Sequence, residues 1–167
     1  MLKLTAKKNI TAFIIIGVLG TLGHFVYEWS GKVTALGLFF PVNESTWEHL
    51  KLLFFPSVIY FAVEYFLLRE KPKCYIPACV SGIFIGMLAI VVAYYTYRGV
   101  IGKNIDFINI LIYFLGLGVT LAVRNLSVKN LKCNRSPKLP LLSIFVMTLL
   151  FVIFSFNPPD LGIFISP

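Results

Sequence analysis

The chain has 167 residues, of which 58% are hydrophobic and 13% are charged, and its formal net charge is +8. Soluble domains carry about 25% charged residues, so this composition excludes an ordinary water-soluble domain. The basic residues are distributed between apolar stretches instead of lying on one face or segment, which argues against a nucleic-acid-binding protein.

Five apolar stretches approach the roughly 20 residues that a helix needs to cross a bilayer. The predicted spans cover residues 10–27, 48–68, 75–97, 105–123 and 139–156. Small residues at helical spacing, such as Gly82 and Gly86, allow transmembrane helices to pack closely. We therefore predict an all-α fold: a polytopic membrane helical bundle of five transmembrane helices, forming a single domain over residues 1–167.

The first predicted span carries two polar side chains near its end, His24 and Glu28. They are four residues apart, about 6 Å along a helix axis, so they share one face and could bind one ion together. An apolar residue at either position would pack equally well. The pair is therefore a candidate site.

The segment Asn43–Lys51 reads Asn-Glu-Ser-Thr-Trp-Glu-His-Leu-Lys and is strongly polar for its apolar surroundings. Ser45 and Glu48 fit a capping box that begins the second long helix, and carboxylates there also favour the helix dipole. Trp47 is interpreted as an anchor at the membrane interface. This segment is predicted to form the outer mouth of a polar cavity.

Two histidines cannot build a three-histidine zinc site, but carboxylates could complete a mixed one. The predicted ligands of a divalent metal such as zinc, or of a small polar ligand, are His24, Glu28, Glu44, Glu48 and His49. Carboxylates gathered at one mouth repel each other, so a metal ion, a protonated histidine or Lys51 should accompany them. Glu48 and His49 are the candidates for a catalytic role.

Further polar side chains fall on shared helix faces and suggest a polar path through the bundle. Glu64 is either a relay carboxylate or the structural partner of Arg69 or Arg124. Hydroxyl and amide side chains often serve only to join transmembrane helices. The predicted secondary path comprises Lys51, Tyr60, Glu64, Asp106, Asn109 and Tyr113.

Charge asymmetry predicts the topology. With the N-terminus in the cytoplasm, four of the fifteen basic residues fall outside: Lys32, Lys51, Arg98 and Lys103. Because cytoplasmic loops are rich in lysine and arginine, this orientation is predicted, with the C-terminus external. Cys74 and Cys133 then lie on the cytoplasmic side and Cys79 close to it, so all three are expected to be thiols.

The run Gly20–His24, followed by Pro41–Lys51, resembles an uncharacterised family of small bacterial multi-pass membrane proteins. The resemblance covers most of the chain, and its specific part is Asn43–Lys51. It implies a bacterial cytoplasmic membrane and no established activity. In the C-terminal tail, Pro158-Pro159 matches the Pro-Pro of relatives, but Ile165-Ser166-Pro167 differs from the residues that follow it in them.

Four functions fit these observations, and the residues leave open whether the protein is an enzyme. The leading hypothesis is an outward-facing cavity that binds a metal or small ligand, with the lipid bilayer as surroundings. A metal-dependent hydrolase of a lipid or lipid-linked substrate is the first alternative, with Glu48 as base. A small proton- or ion-coupled transporter using Glu64 and a non-catalytic accessory subunit are the others.

Overall fold

The apolar stretches fold into α-helices in the computed structural model, which describes residues 6–68, 74–130 and 136–167. The described helices are α1 (Ala6–Trp29), α2 (Thr34–Gly37), α3 (Thr46–Leu67), α4 (Tyr75–Ile101), α5 (Asp106–Asn130) and α6 (Lys138–Phe156). A short 3-10 helix, Gly162–Phe164, follows α6. No strand occurs in these ranges, and the predicted all-α fold is confirmed.

Five of the helices are long and apolar enough to cross a membrane: α1, α3, α4, α5 and α6. Their local boundaries follow from the sequence. Ser45 caps α3 by accepting a hydrogen bond from the Glu48 amide, and α4 ends at Gly102, whose positive φ of 71° is easily adopted by glycine. Pro56 lies inside α3 without ending it.

Polarity is arranged inside out relative to a soluble protein. Large apolar side chains are exposed along the helices; examples are Ile14 and Val18 on α1, Leu88 and Val92 on α4, and Phe145 on α6. By contrast, four charged side chains in the described ranges are buried: Glu48, Lys51, Glu64 and Arg124. Such an arrangement suits a protein whose surroundings are lipid.

The helices α4 and α5 form the most extensive pair, and α1 packs on α3. Glycine permits the first contact, because a Cβ atom at Gly82 would lie 2.5 Å from the carbonyl oxygen of Thr120. A Cβ at Gly86 would lie 2.7 Å from the Gly116 oxygen. The predicted close packing at this G-x-x-x-G pair is therefore confirmed.

The end of α1 meets the start of α3, and the start of α1 meets the end of α3, so the two helices are antiparallel. We call the first end of the bundle the His24 end and the second the Lys7 end. The His24 end is where residues from the α1–α3 connection, α3 and α6 converge.

An aromatic cluster closes the His24 end. The Trp47 ring lies 4.9 Å from the Phe151 ring of α6 and 4.9 Å from the Phe164 ring of the 3-10 helix. Trp47 is only 9% exposed. The interpretation of Trp47 as an interface anchor is therefore wrong: its indole joins three elements instead of facing the headgroups.

The cysteines depart from the expectation that all are thiols. Cys79 is a buried free thiol, whereas Cys74, immediately before α4, is disulfide-bonded. Cys133 lies outside the described residues. Disulfides are rare in reducing compartments, so the Cys74 disulfide favours an orientation with the start of α4 outside the cytoplasm. The distribution of basic residues favours the opposite orientation.

Candidate functional site

Three possible metal ligands come together at the His24 end: His24 near the end of α1, Glu44 before α3, and His49 in the first turns of α3. One donor atom from each lies within 4.8 Å of the other two. The two imidazole rings are 5.2 Å apart. Of the two α1 residues expected to face the Glu44–His49 segment, His24 lies against it and Glu28 does not.

The hydrogen bonds of His49 determine which of its nitrogen atoms is available. Its Nδ1 lies 2.9 Å from the Ser45 carbonyl oxygen, and a carbonyl only accepts, so Nδ1 must carry a proton. Its Nε2 lies 3.4 Å from Glu44 Oε2. In the protonated ring, Nε2 donates a hydrogen bond to this carboxylate; in the neutral ring, the Nε2 lone pair is available to a metal ion, as in metal-ligating histidines.

His24 faces the same carboxylate from α1. Its Nε2 is 4.0 Å from Glu44 Oε1, while its Nδ1 is buried without a hydrogen-bond partner among the described residues. Both histidine side chains are about one-third exposed, at 31% and 34%, and that of Glu44 is 66% exposed. The cluster is thus open on one side.

Glu44 lies outside the membrane-spanning helices, and its charge is favoured by its neighbours. The hydrogen bond from His49, aided by the electrostatic influence of both histidines, holds the pKa of Glu44 below its usual value. Glu44 is therefore ionised at neutral pH, which is the form that binds a cation.

Glu48 is held apart from this cluster by a network of its own. It is 1% exposed and accepts hydrogen bonds from the Val42 amide, Lys51 Nζ and Ser155 Oγ at 2.9, 2.8 and 2.7 Å. Lys51 is fully buried and also donates to the Gly37 carbonyl at 2.8 Å. The structure does not bring Glu48 to His24, because its carboxylate neutralises Lys51.

Glu28 is also not brought to the cluster. It forms an exposed ion pair with Lys32, four residues later, at 3.4 Å. The expected pairing of His24 with Glu28 is replaced by contacts of His24 with α3 and Glu44. Of the five predicted ligands, the structure therefore groups His24, Glu44 and His49.

Glu64 lies at the Lys7 end. Arg124 of α5 donates to Glu64 Oε2 at 3.0 Å, and the Tyr75 hydroxyl donates to the same oxygen. Arg124 is fully buried and also donates to Asn9 of α1 at 2.6 Å. The structural partnership of Glu64 with Arg124 is confirmed, whereas Arg69 lies outside the described residues.

The remaining residues of the predicted polar path are distributed over separate parts of the bundle. Tyr60 lies beside Glu64 at the Lys7 end. The Tyr113 hydroxyl donates to the Ile16 carbonyl at 3.0 Å and joins α5 to α1. Asn109 accepts a hydrogen bond from Tyr97 at 2.6 Å, and Asp106 is exposed at the start of α5. The described side chains do not form one continuous hydrogen-bonded path.

A family model described as "Family of unknown function (DUF6512)" matches residues 1–166 of the chain. The chain belongs to DUF6512. No curated protein and no solved structure matches it. For this DUF6512 protein, the function must therefore be argued from the geometry of its own side chains.

Sequence reasoning missed one residue of the Glu48 network in DUF6512. Ser155 lies 107 positions away, in the most apolar of the predicted spans, and nothing in its local sequence marks it. The one chemical hint is that a buried Glu48–Lys51 ion pair would need further hydrogen bonds. A hydroxyl or amide group on a later helix could supply one of them.

Proposed function

We propose that this protein is a multi-pass membrane protein whose His24 end binds a divalent metal ion such as zinc through His24, Glu44 and His49. The approach of three donor atoms to within 4.8 Å of one another carries the proposal. Two imidazoles and one carboxylate are the ligand types that zinc takes, and three protein ligands leave a fourth position for water or a small ligand.

The position of the three residues supports a metal more than a coincidental polar cluster. They come from two helices and the connection between them, so one ion would join all three elements. His49 has its second nitrogen fixed by a backbone carbonyl, as ligating histidines commonly do. The openness of the cluster provides access from the aqueous side.

Binding is better supported than hydrolysis. A hydrolase would need a base near the metal-bound water, and the carboxylate of the candidate base Glu48 is buried and hydrogen-bonded to Val42, Lys51 and Ser155. Glu44 would itself be a ligand. A transporter would need a path to Glu64, which pairs with Arg124 at the opposite end.

Metal binding should raise the thermal stability of the purified protein in detergent. An ion that binds only the folded state at 100 times its dissociation constant stabilises it by about 2.7 kcal/mol. We expect zinc to raise the melting temperature and chelator to lower it. His49→Ala and Glu44→Gln should abolish this difference, each by removing a ligand.

Glu28→Gln is the matched control, because it removes a carboxylate at the same end of the bundle that pairs with Lys32. It should keep the full response to zinc. If the wild-type melt is indifferent to chelator, zinc and manganese, the metal site is refuted. A non-catalytic accessory role then becomes the better explanation of the cluster.

The metal-dependent stabilisation should disappear as the pH falls from 8 to about 5.5. Histidine ligates only when neutral, and its ordinary pKa is about 6.5, so protons compete with the metal in this range. Glu44 has a lowered pKa, so it stays ionised there; its own contribution is complete above its unfolded pKa and is lost only as the pH falls toward its lowered folded pKa. The measurement is the difference between melts with zinc and with chelator at each pH. A difference that is unchanged down to pH 5 would exclude histidine ligands.

We further propose that the membrane is a bacterial cytoplasmic membrane and that the His24 end faces outward. Lys32→Cys and Lys103→Cys, both exposed at or near this end, should react with an impermeant thiol reagent added to intact cells. Ser136→Cys, exposed before α6 at the opposite end, is the control and should stay unlabelled. Labelling of Ser136→Cys alone would reverse the orientation and agree with the compartment that the Cys74 disulfide favours.

A further inference from the structure

A second feature lies at the Lys7 end, away from the metal cluster. A cleft of about 480 Å³ opens between α1 and α3 and is bounded by residues from the first half of α1 and the last half of α3. Along α1 the lining changes from cations to a hydroxyl group and then to apolar side chains, whereas along α3 the polar residues Glu64 and Tyr60 alternate with apolar ones.

The cations are Lys7 and Lys8, which are exposed at the start of α1. Neither forms an ion pair within the described part of the chain. The carboxylate that shares the cleft, Glu64, is already neutralised by Arg124 at 3.0 Å. Among the described residues, no carboxylate pairs with these two cations, which lie at the level where α1 begins.

The hydrogen-bonding section lies one turn deeper, at Thr11, Tyr60 and Glu64. Glu64 is 8% exposed, and its Oε2 accepts from Arg124 and Tyr75. Its Oε1 is buried and has no hydrogen-bond partner among the described residues. An unpaired carboxylate oxygen in such a place is costly, and a ligand that donates a hydrogen bond would remove that cost.

The apolar section has one wall from each helix, and both walls are partly exposed to the lipid side. Exposed fractions are 40% for Ile15, 44% for Leu19, 58% for Ile59 and 53% for Val63. A chain could therefore enter sideways from the bilayer, without passing through the bundle. One narrow cleft between two adjacent helices suits one acyl chain.

We propose that this cleft binds a single-chain anionic lipid, with its phosphate at Lys7 and Lys8, a hydroxyl group donating to Glu64 Oε1, and its chain between α1 and α3. The order of groups in a lysophospholipid (phosphate, free glycerol hydroxyl, acyl chain) matches the order of side chains along the α1 wall of the cleft. This inference rests on the proposed membrane location but not on the metal site.

The probe is 1-oleoyl lysophosphatidic acid, titrated onto the purified full-length protein in a non-ionic detergent, with the bound fraction read by native mass spectrometry. Lysophosphatidylcholine with the same chain is the comparison lipid. We expect at least tenfold weaker binding of the choline lipid, because its net charge is zero. The Lys7→Gln/Lys8→Gln variant should bind the anionic lipid about tenfold more weakly than the wild type does. Its affinity for the choline lipid should be unchanged.

Lys32→Gln/Lys103→Gln is the matched control, because it removes the same charge from the opposite end of α1 and from the α4–α5 connection. It should bind the anionic lipid as the wild type does. Equal losses in both double variants would show a general effect of net charge and overturn the site. If the wild type binds the two lipids equally, the bound lipid belongs to the non-specific layer around any membrane protein, and the site is overturned.

The hydrogen bond to Glu64 is tested with a second ligand, an alkyl phosphate that lacks the hydroxyl group. Wild type should bind lysophosphatidic acid about tenfold more tightly than the alkyl phosphate, and Glu64→Gln should reduce that preference. If Glu64→Gln does not fold, the preference of the wild type for lysophosphatidic acid over the alkyl phosphate is the test. Equal binding of both anionic ligands would refute the hydrogen bond to Glu64. A zinc-dependent melt, measured on the same preparation, separates failure of this site from failure of the metal site.

Discussion

Replacing Lys51 with methionine should lower the free energy of unfolding by about 3–5 kcal/mol, because it leaves the Glu48 carboxylate buried without its counter-charge. Lys51 is fully buried and Glu48 is 1% exposed, so water cannot solvate the remaining charge. The Gly37 and Phe40 carbonyls would also lose the ammonium that donates to them. Chemical or thermal unfolding in detergent measures the loss.

Two variants show whether the loss comes from the unpaired charge. The double variant Glu48→Gln/Lys51→Met should recover most of the stability, because replacing both members of a buried pair is often close to neutral. Lys32→Met breaks the exposed pair with Glu28 and should cost less than about 1 kcal/mol. Similar losses from Lys51→Met and Lys32→Met would contradict the proposed role of burial.

Replacing Gly86 with valine should destabilise the bundle by about 1–3 kcal/mol, because the side chain would enter space that α5 occupies. The Cβ atom alone would lie 2.7 Å from the Gly116 carbonyl and against the Thr120 hydroxyl group. Both belong to the α4–α5 interface, the most extensive in the bundle. The helices would have to separate, which weakens packing along their length.

Gly99→Val is the control for that substitution. Gly99 also lies in α4, but a Cβ atom there meets no atom within 4 Å. Valine has a higher helix propensity than glycine, so this variant should melt at the wild-type temperature or slightly above it. A Gly86→Val protein that unfolds like Gly99→Val would show that the close approach of α4 and α5 contributes little to stability.

The helices were predictable because bilayer-length apolar stretches carry a strong signal. The observed starts of α3, α4, α5 and α6 lie within two residues of the predicted spans. The ends of α3 and α6 agree within one residue, but α4 and α5 continue beyond the predicted apolar stretches, past Arg98 and Arg124. Hydropathy records where the chain is apolar and does not record where backbone hydrogen bonding stops.

The site was only partly predictable. Sequence spacing places Glu44 and Glu48 four residues apart, which suggests one shared face. However, Glu44 precedes the N-cap Ser45, so helical spacing does not apply to it, and its side chain turns toward His24. Glu48 lies inside α3 and turns to Lys51, three residues later. Whether Glu44 and Glu48 share a helix face therefore depends on the exact residue at which α3 begins.

The capping box was also predicted only in part. Ser45 accepts from the Glu48 amide at 3.4 Å, as expected. The Glu48 carboxylate does not return to the Ser45 amide, which donates to Asn43 Oδ1 at 2.9 Å. That carboxylate instead accepts a hydrogen bond from Ser155 of α6, and such tertiary contacts cannot be predicted from local sequence.

The bond from Ser155 to Glu48 has a consequence for the biogenesis of the protein. Because α6 is synthesised after α3, Glu48 Oε1 cannot receive this hydrogen bond, and Phe151 and Phe164 cannot cover Trp47, until synthesis has passed α6. The nascent chain therefore passes through a stage in which its most polar segment is incompletely enclosed. In the proposed membrane, insertion factors that shield polar transmembrane surface should be needed until α6 docks, and a ribosome stalled before α6 should leave a substrate for membrane proteases.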